Sequence, residues 1–140
     1  MVITLGPSTN SSMNCMKIAE KIFREAEEYT WGIREGNAIE AVAPMFNEQI
    51  RKGVRFRDLF PESDLPAYRI WSEKLRNLEG RGLPVSDIST TIMLIEKEAM
   101  ICLRFVGGRM DFAGFFGSDP TFLNWVKDLF LYYWDKGKRA

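Results

Sequence analysis

The sequence predicts an α/β fold: a mixed sheet of about five strands with helices on both faces, a parallel βαβ unit in front and an antiparallel meander behind. Two β-rich runs, Tyr29 to Ile33 and Val54 to Phe60, flank a stretch of helical periodicity, and strands joined by a helical crossover pair in parallel. A second block, Thr91 to Phe116, reads as three strands separated by short polar or glycine-containing turns. After it, Pro120 to Asp135 reads as a helix with an aromatic side chain on nearly every turn.

Taken in order, Asn14 to Glu28 predicts a helix, with Met16, Ala19, Phe23 and Ala26 on its apolar stripe and Lys17, Glu20, Lys21, Arg24 and Glu25 opposite. The β-branched and aromatic run from Tyr29 to Ile33 is the first core strand. A helix follows between Ala38 and Lys52, secure only beyond Pro44, and Gly53 ends it. Val54 to Phe60 alternates with period two, as a strand does. Ala67 to Glu79 predicts an amphipathic helix that Gly80-Arg81-Gly82-Leu83-Pro84 ends. The hairpin strands are Thr91 to Ile95, Ala99 to Val106 and, past Gly107-Gly108-Arg109, Met110 to Phe116. Asp119-Pro120 opens the last helix, because Asp caps bare backbone N–H groups and Pro has none to leave bare.

Composition narrows the chemistry. The 140 residues, 46% hydrophobic and 13% aromatic, suit a single domain with its own core. Lys+Arg and Asp+Glu balance at 19 each, which gives no sign of the basic face that direct nucleic-acid binding needs. The opening Met1-Val2-Ile3-Thr4-Leu5 is too short for a signal peptide or a membrane span, so a cytoplasmic protein without membrane attachment is expected. Cys15 and Cys102 fall in apolar settings and are expected to stay reduced. With no histidine, the chain cannot build a Ser-His-Asp or Cys-His pair, a His-ligated metal centre, or the His-Lys-Asp motif of a phospholipase-type phosphodiesterase. Neither a metal nor a cofactor is expected. Chemistry through carboxylates, Cys15 or Cys102 on a small metabolite is the alternative to a non-catalytic role.

Three stretches carry a resemblance: Arg51-Lys52-Gly53-Val54-Arg55-Phe56-Arg57; the hairpin Thr91 to Phe105 with Gly108-Arg109-Met110-Asp111; and Ser118-Asp119-Pro120-Thr121-Phe122-Leu123-Asn124-Trp125-Val126-Lys127-Asp128-Leu129-Phe130-Leu131-Tyr132-Tyr133-Trp134. Together they resemble the effector domains of archaeal transcription regulators of the TrmB/ArsR type, including the methanogenesis-regulator middle domain. The resemblance implies a half-unit of the phospholipase D-like fold that has lost catalysis and serves sensing and dimerisation. Those regulators carry a winged helix ahead of the effector domain, and Met1 to Ser12 has no room for one, so no DNA-binding domain is expected here.

The candidate ligand-binding residues are Trp31, Arg34, Arg55, Arg57, Tyr68 and Arg104. Arg55 and Arg57 share one face of their strand, and with Arg34 or Arg104 nearby they would hold a carboxylate or phosphate through forked hydrogen bonds. Trp31, Trp71, Phe56 and Tyr68 would line a pocket for a small aromatic ligand, or simply pack as core. The last helix carries more apolar surface than one sheet covers, which predicts a homodimer through that helix or the adjacent hairpin.

Overall fold

The computed structural model describes residues 2–5, 11–34, 39–74, 77–88, 90–104 and 110–139. Its elements are β1 (Val2–Leu5), α1 (Ser11–Glu25), β2 (Tyr29–Ile33), α2 (Ile39–Arg51), β3 (Arg55–Pro61), α3 (Leu65–Lys74), β4 (Leu78–Leu83), β5 (Thr90–Ile95), β6 (Ala99–Arg104), β7 (Met110–Gly117), α4 (Pro120–Lys136) and β8 (Lys138–Arg139). One sheet contains every strand, in the order β1-β7-β6-β5-β2-β3-β4-β8. Seven of these strands have four residues or more, and β8 adds a two-residue edge, so the sheet is wider than the five strands expected.

The parallel front and antiparallel back are present, with additions. β2, β3 and β4 run parallel; β5, β6 and β7 form the antiparallel meander, and β5 lies antiparallel against β2. The two strands missing from the sequence reading of the main sheet lie toward its edges. β1 pairs antiparallel with β7. β4 occupies residues that helical periodicity assigned to a helix end and its terminator. That helix stops at Lys74, and the Gly-Arg-Gly run is strand interior. Gly80 is there because of packing: a Cβ on it would lie 2.0 Å from Cε1 of Tyr68, whose ring covers the backbone of β4.

Local chemistry explains the helix ends. The first helix stops at Glu25, three residues early, and the backbone N–H groups of Glu27, Glu28 and Tyr29 all donate to the Glu96 carboxylate instead. α2 begins at Ile39, ahead of Pro44, whose missing N–H removes one bond near the start of the helix. At its other end Gly53 adopts φ +85°, with Gly53 N–H donating to Ile50 O at 2.9 Å and Val54 N–H to Gln49 O at 3.1 Å. This paired-bond ending needs a left-handed residue, and glycine enters that region without a Cβ penalty. At α4 the Asp119 carboxylate accepts the Thr121 N–H at 2.8 Å, as the Asp-Pro signature predicts.

Helices cover both faces. On one, Ile22 and Phe23 of α1, Phe46 of α2 and Tyr68 of α3 pack on Phe56, Phe60, Leu78, Ile95 and Met100. On the other, Val126, Phe130 and Trp134 of α4 pack on Ile33, Leu59, Leu83, Ile92 and Ile101. β2 and β3 lie between the two layers; Trp31, Arg55 and Arg57 fall on these strands, Arg34 directly after β2, Tyr68 on α3 and Arg104 at the end of β6. The Gly107-Gly108-Arg109 turn lies outside the described residues.

Candidate functional site

The three parallel strands begin side by side, with Tyr29 opposite Arg55, Phe56 opposite Leu78 and Arg57 opposite Glu79. Alternation sends Tyr29, Trp31, Arg55, Arg57 and Glu79 to the α4 face, while Phe56 and Leu78 point into the opposite core. Between them lies a cleft of about 350 Å³ lined by Tyr29, Trp31, Arg55, Phe56, Arg57, Asn77, Leu78 and Glu79. Thus Trp31, Arg55 and Arg57 share one site.

Aromatic rings fix part of that site. The Arg57 guanidinium sits 4.8 Å from the Trp31 ring centre and 5.5 Å from that of Trp134. Its Nε lies 3.9 Å from Glu79 Oε2, a loose ion pair with Glu79 half exposed. Arg81 continues the stack, 4.4 Å over Trp134, and its Nη1 donates to the Trp134 carbonyl at 2.8 Å. Trp31 is itself held by Phe130 at 5.3 Å and Tyr29 at 4.7 Å, and Lys127 Nζ stands 5.5 Å from its ring. Such cation–aromatic contacts each contribute about 0.5–2 kcal/mol, so the guanidinium of Arg57 is set in place by the fold. Arg55 is different. It is exposed, and among the described residues its side chain has neither an ion pair nor a hydrogen bond. Burial, then the charges of Glu96 and Glu28, push the Tyr29 hydroxyl above its usual range and keep it protonated.

Arg34 and Tyr68 are not part of this cleft. Arg34 follows Ile33 by one residue, so the same alternation that sends Ile33 toward α4 sends Arg34 to the other face. There its Nε lies 3.3 Å from Oδ1 of the buried Asp58, its guanidinium 5.3 Å from the Phe46 ring, and its Nη2 is buried without a hydrogen-bond partner among the described residues. The Tyr68 hydroxyl reaches Asp58 Oδ2 at a long 3.5 Å, and its ring stacks on Phe60 at 4.1 Å. Burial pushes the Asp58 carboxyl up, and Arg34 pulls it partly back; burial also pushes the Tyr68 hydroxyl far up. Arg104 is separated from β3 by β5 and β2, so its backbone is not beside Arg55 and Arg57; its side chain, like that of Trp71, lies outside the described residues. Phe56 is fully buried against Phe23 and Phe46, a core role.

The sequence reading missed Tyr29, Asn77 and Glu79. Asn77 and Glu79 were assigned to a helix end; the available signal was the alternation of small or apolar with charged residues in Leu78-Glu79-Gly80-Arg81-Gly82-Leu83, which the two glycines disguised. For the enzyme alternative, Cys102 is buried in the core, and the Cys15 side chain lies outside the described residues. Among the described residues, no three His, Cys, Asp or Glu side chains are grouped to hold a metal ion, and no helix is long and apolar enough to cross a membrane.

Comparison with solved structures places this architecture. Over 99% of its length the chain superposes on TrmBL2, described as an archaeal chromatin protein with a novel mode of DNA binding, with a TM-score of 0.74 and 19% identity. It also superposes on Nuc from Salmonella typhimurium, a phospholipase D family member, with a TM-score of 0.69 and 9% identity, covering all of this chain and 97% of the other. The fold is shared with both. NucT from Helicobacter pylori gives a TM-score of 0.70 at 8% identity, covering 100% of this chain and 98% of that one. At these identities the likeness establishes the fold. The chain spans about half of TrmBL2, 54% of its length. No protein-family model and no curated protein matches the sequence.

Proposed function

We propose that this chain is a non-catalytic, cytoplasmic regulatory domain on the phospholipase D-like fold, related to the effector domains of archaeal transcription regulators. It binds a small anionic ligand in the cleft between β2, β3 and β4 and works as a homodimer. The observation that carries the ligand reading is Arg55: an exposed guanidinium without an ion pair among the described residues, lining a cleft in which Trp31 and Arg57 are fixed by ring contacts. A guanidinium presents a fork that fits carboxylate or phosphate, and a rigid wall lowers the cost of ordering the site. Loss of catalysis is supported by the absence of histidine, which excludes the His-Lys-Asp chemistry of phosphodiesterases.

Support for the dimer comes from exposed apolar side chains on one side of the sheet. Trp125 and Tyr132 of α4 are 53% and 56% exposed, and Leu103 and Phe115 of the meander are 45% and 38% exposed. Phe115 lies opposite Ile101, and Leu103 two residues beyond it, so both face the α4 side. Thermal-shift screening of a metabolite library tests the ligand reading. An anionic ligand at a hundred times its Kd stabilises the fold by about 2.7 kcal/mol, and Arg55→Ala abolishes that shift. If every stabilising compound acts equally on the Arg55→Ala variant, the cleft is not the site.

A further inference from the structure

The cleft contains an acid as well as its arginines, and this narrows what it accepts. Arg57 is already engaged: two indole rings flank its guanidinium and Glu79 lies 3.9 Å from its Nε. Glu79 is held loosely, with 52% of its side chain exposed, so its carboxylate oxygens remain open to a further donor. Arg55, unlike Arg57, has no protein counter-charge among the described residues. A plain anion seated on Arg55 leaves the Glu79 carboxylate, shared only loosely with Arg57, without a further donor. A ligand carrying a positive group meets both demands.

We infer that the cleft takes a small zwitterion, its carboxylate or other anionic group on Arg55 and its ammonium on Glu79. This rests on the cleft being the ligand site. The geometry sets the span. Glu79 stands opposite Arg57, two residues beyond Arg55, so the Arg55 and Glu79 Cα atoms lie roughly 8 Å apart, from a strand spacing of about 4.8 Å and a rise of about 3.3 Å per residue. Both residues line the cleft, so the two charges of the ligand stand a few bonds apart, as in an ω-amino acid. Asn77, at the foot of β4, also lines the cleft and bonds through its amide nitrogen to the Val54 carbonyl at 3.4 Å, so its side-chain oxygen is not used in that bond. Arg57 is then a positioning residue that holds Glu79 toward the ligand.

The test uses a matched pair of probes, 4-aminobutyrate and butyrate, which differ only in the ammonium group. Each is titrated into the full chain at neutral pH and low salt, and the Trp31 indole N–H resonance is followed. 4-Aminobutyrate binds at least tenfold more tightly than butyrate, Glu79→Gln erases that difference without weakening butyrate, and Arg55→Ala removes binding of both. Equal affinity for the two probes, or a preference for butyrate, overturns the zwitterion and leaves the anion cleft standing. If neither probe moves the Trp31 signal, the inference and the ligand site fall together. A preference for 4-aminobutyrate that survives Glu79→Gln also overturns the assignment, since the ammonium then sits elsewhere.

Discussion

Arg55 and Arg57 are two residues apart on one strand face, but the fold uses them differently. Arg57 is clasped between Trp31 and Trp134, whereas Arg55 lines the same cleft exposed and without such a clasp among the described residues. Arg55→Ala therefore leaves stability within about 0.5 kcal/mol of the parent, and Arg57→Ala costs about 1–2 kcal/mol through lost cation–aromatic contact, as urea denaturation midpoints will show. Equal midpoints for the two variants would mean that the aromatic clasp has no energetic weight. The pair was legible in the sequence because alternation fixes which residues share a strand face. Its unequal roles were not, because they depend on Trp134, which is 77 positions away from Arg57 along the chain. On the opposite face, Arg34 neutralises the fully buried Asp58, and removing one member of such a pair strands the other. Arg34→Ala destabilises by about 3 kcal/mol at pH 7. That deficit shrinks as pH falls, because a buried carboxyl already pushed upward takes a proton more readily once Arg34 is gone. A pH-independent deficit in denaturation would contradict the pairing.

At the scale of elements, the β5–β6 turn is tied to the end of α1 by carboxylates. Glu96 accepts three backbone N–H groups, Lys97 pairs with Glu27 at 2.8 Å, and Glu98 lies beside Glu25 with Lys21 Nζ at 3.8 Å. Burial, then hydrogen bonding to the neighbouring Glu25 carboxyl, pushes Glu98 up to about 7, while the same contact lowers Glu25. The folded Glu98 therefore holds a proton that the unfolded chain releases near pH 4.5. The stability it contributes is present below that pH and is lost as pH rises through about 7. Glu98→Gln keeps the neutral form, so near pH 8 the variant is more stable than the parent by roughly 1 kcal/mol, discounted for solvent contact, and near pH 4 the two coincide. Thermal unfolding across this range checks the sign, and a variant less stable than the parent at pH 8 contradicts it. None of this coupling was visible in the sequence, where Glu96-Lys97-Glu98 is only a polar turn. Elements with strong periodicity, such as β2, β3 and the meander, were legible for the opposite reason: their pattern is internal. β4 was not, since its glycines answer to the Tyr68 ring packed across it.

For the whole molecule, the apolar excess of α4 was legible as composition, and the structure shows how much of it the monomer covers. Val126, Phe130 and Trp134 are buried at a spacing of four, and Trp125 and Tyr132 remain exposed, with Lys136 Nζ donating to the Tyr132 hydroxyl at 2.6 Å. A two-fold contact over this side predicts twice the 16.2 kDa chain mass in sedimentation equilibrium at micromolar concentration, reduced by Trp125→Glu. A single 16.2 kDa species would mean the exposed aromatics are tolerated singly. The central claim concerns where the molecule meets its ligand, and an amide NMR titration with inorganic phosphate at low ionic strength tests it directly. Perturbations concentrated at 29–31, 55–57 and 77–79, and absent in Arg55→Ala, are the predicted result; perturbations centred on Arg34 and Asp58, or scattered evenly over the surface lysines, would contradict it.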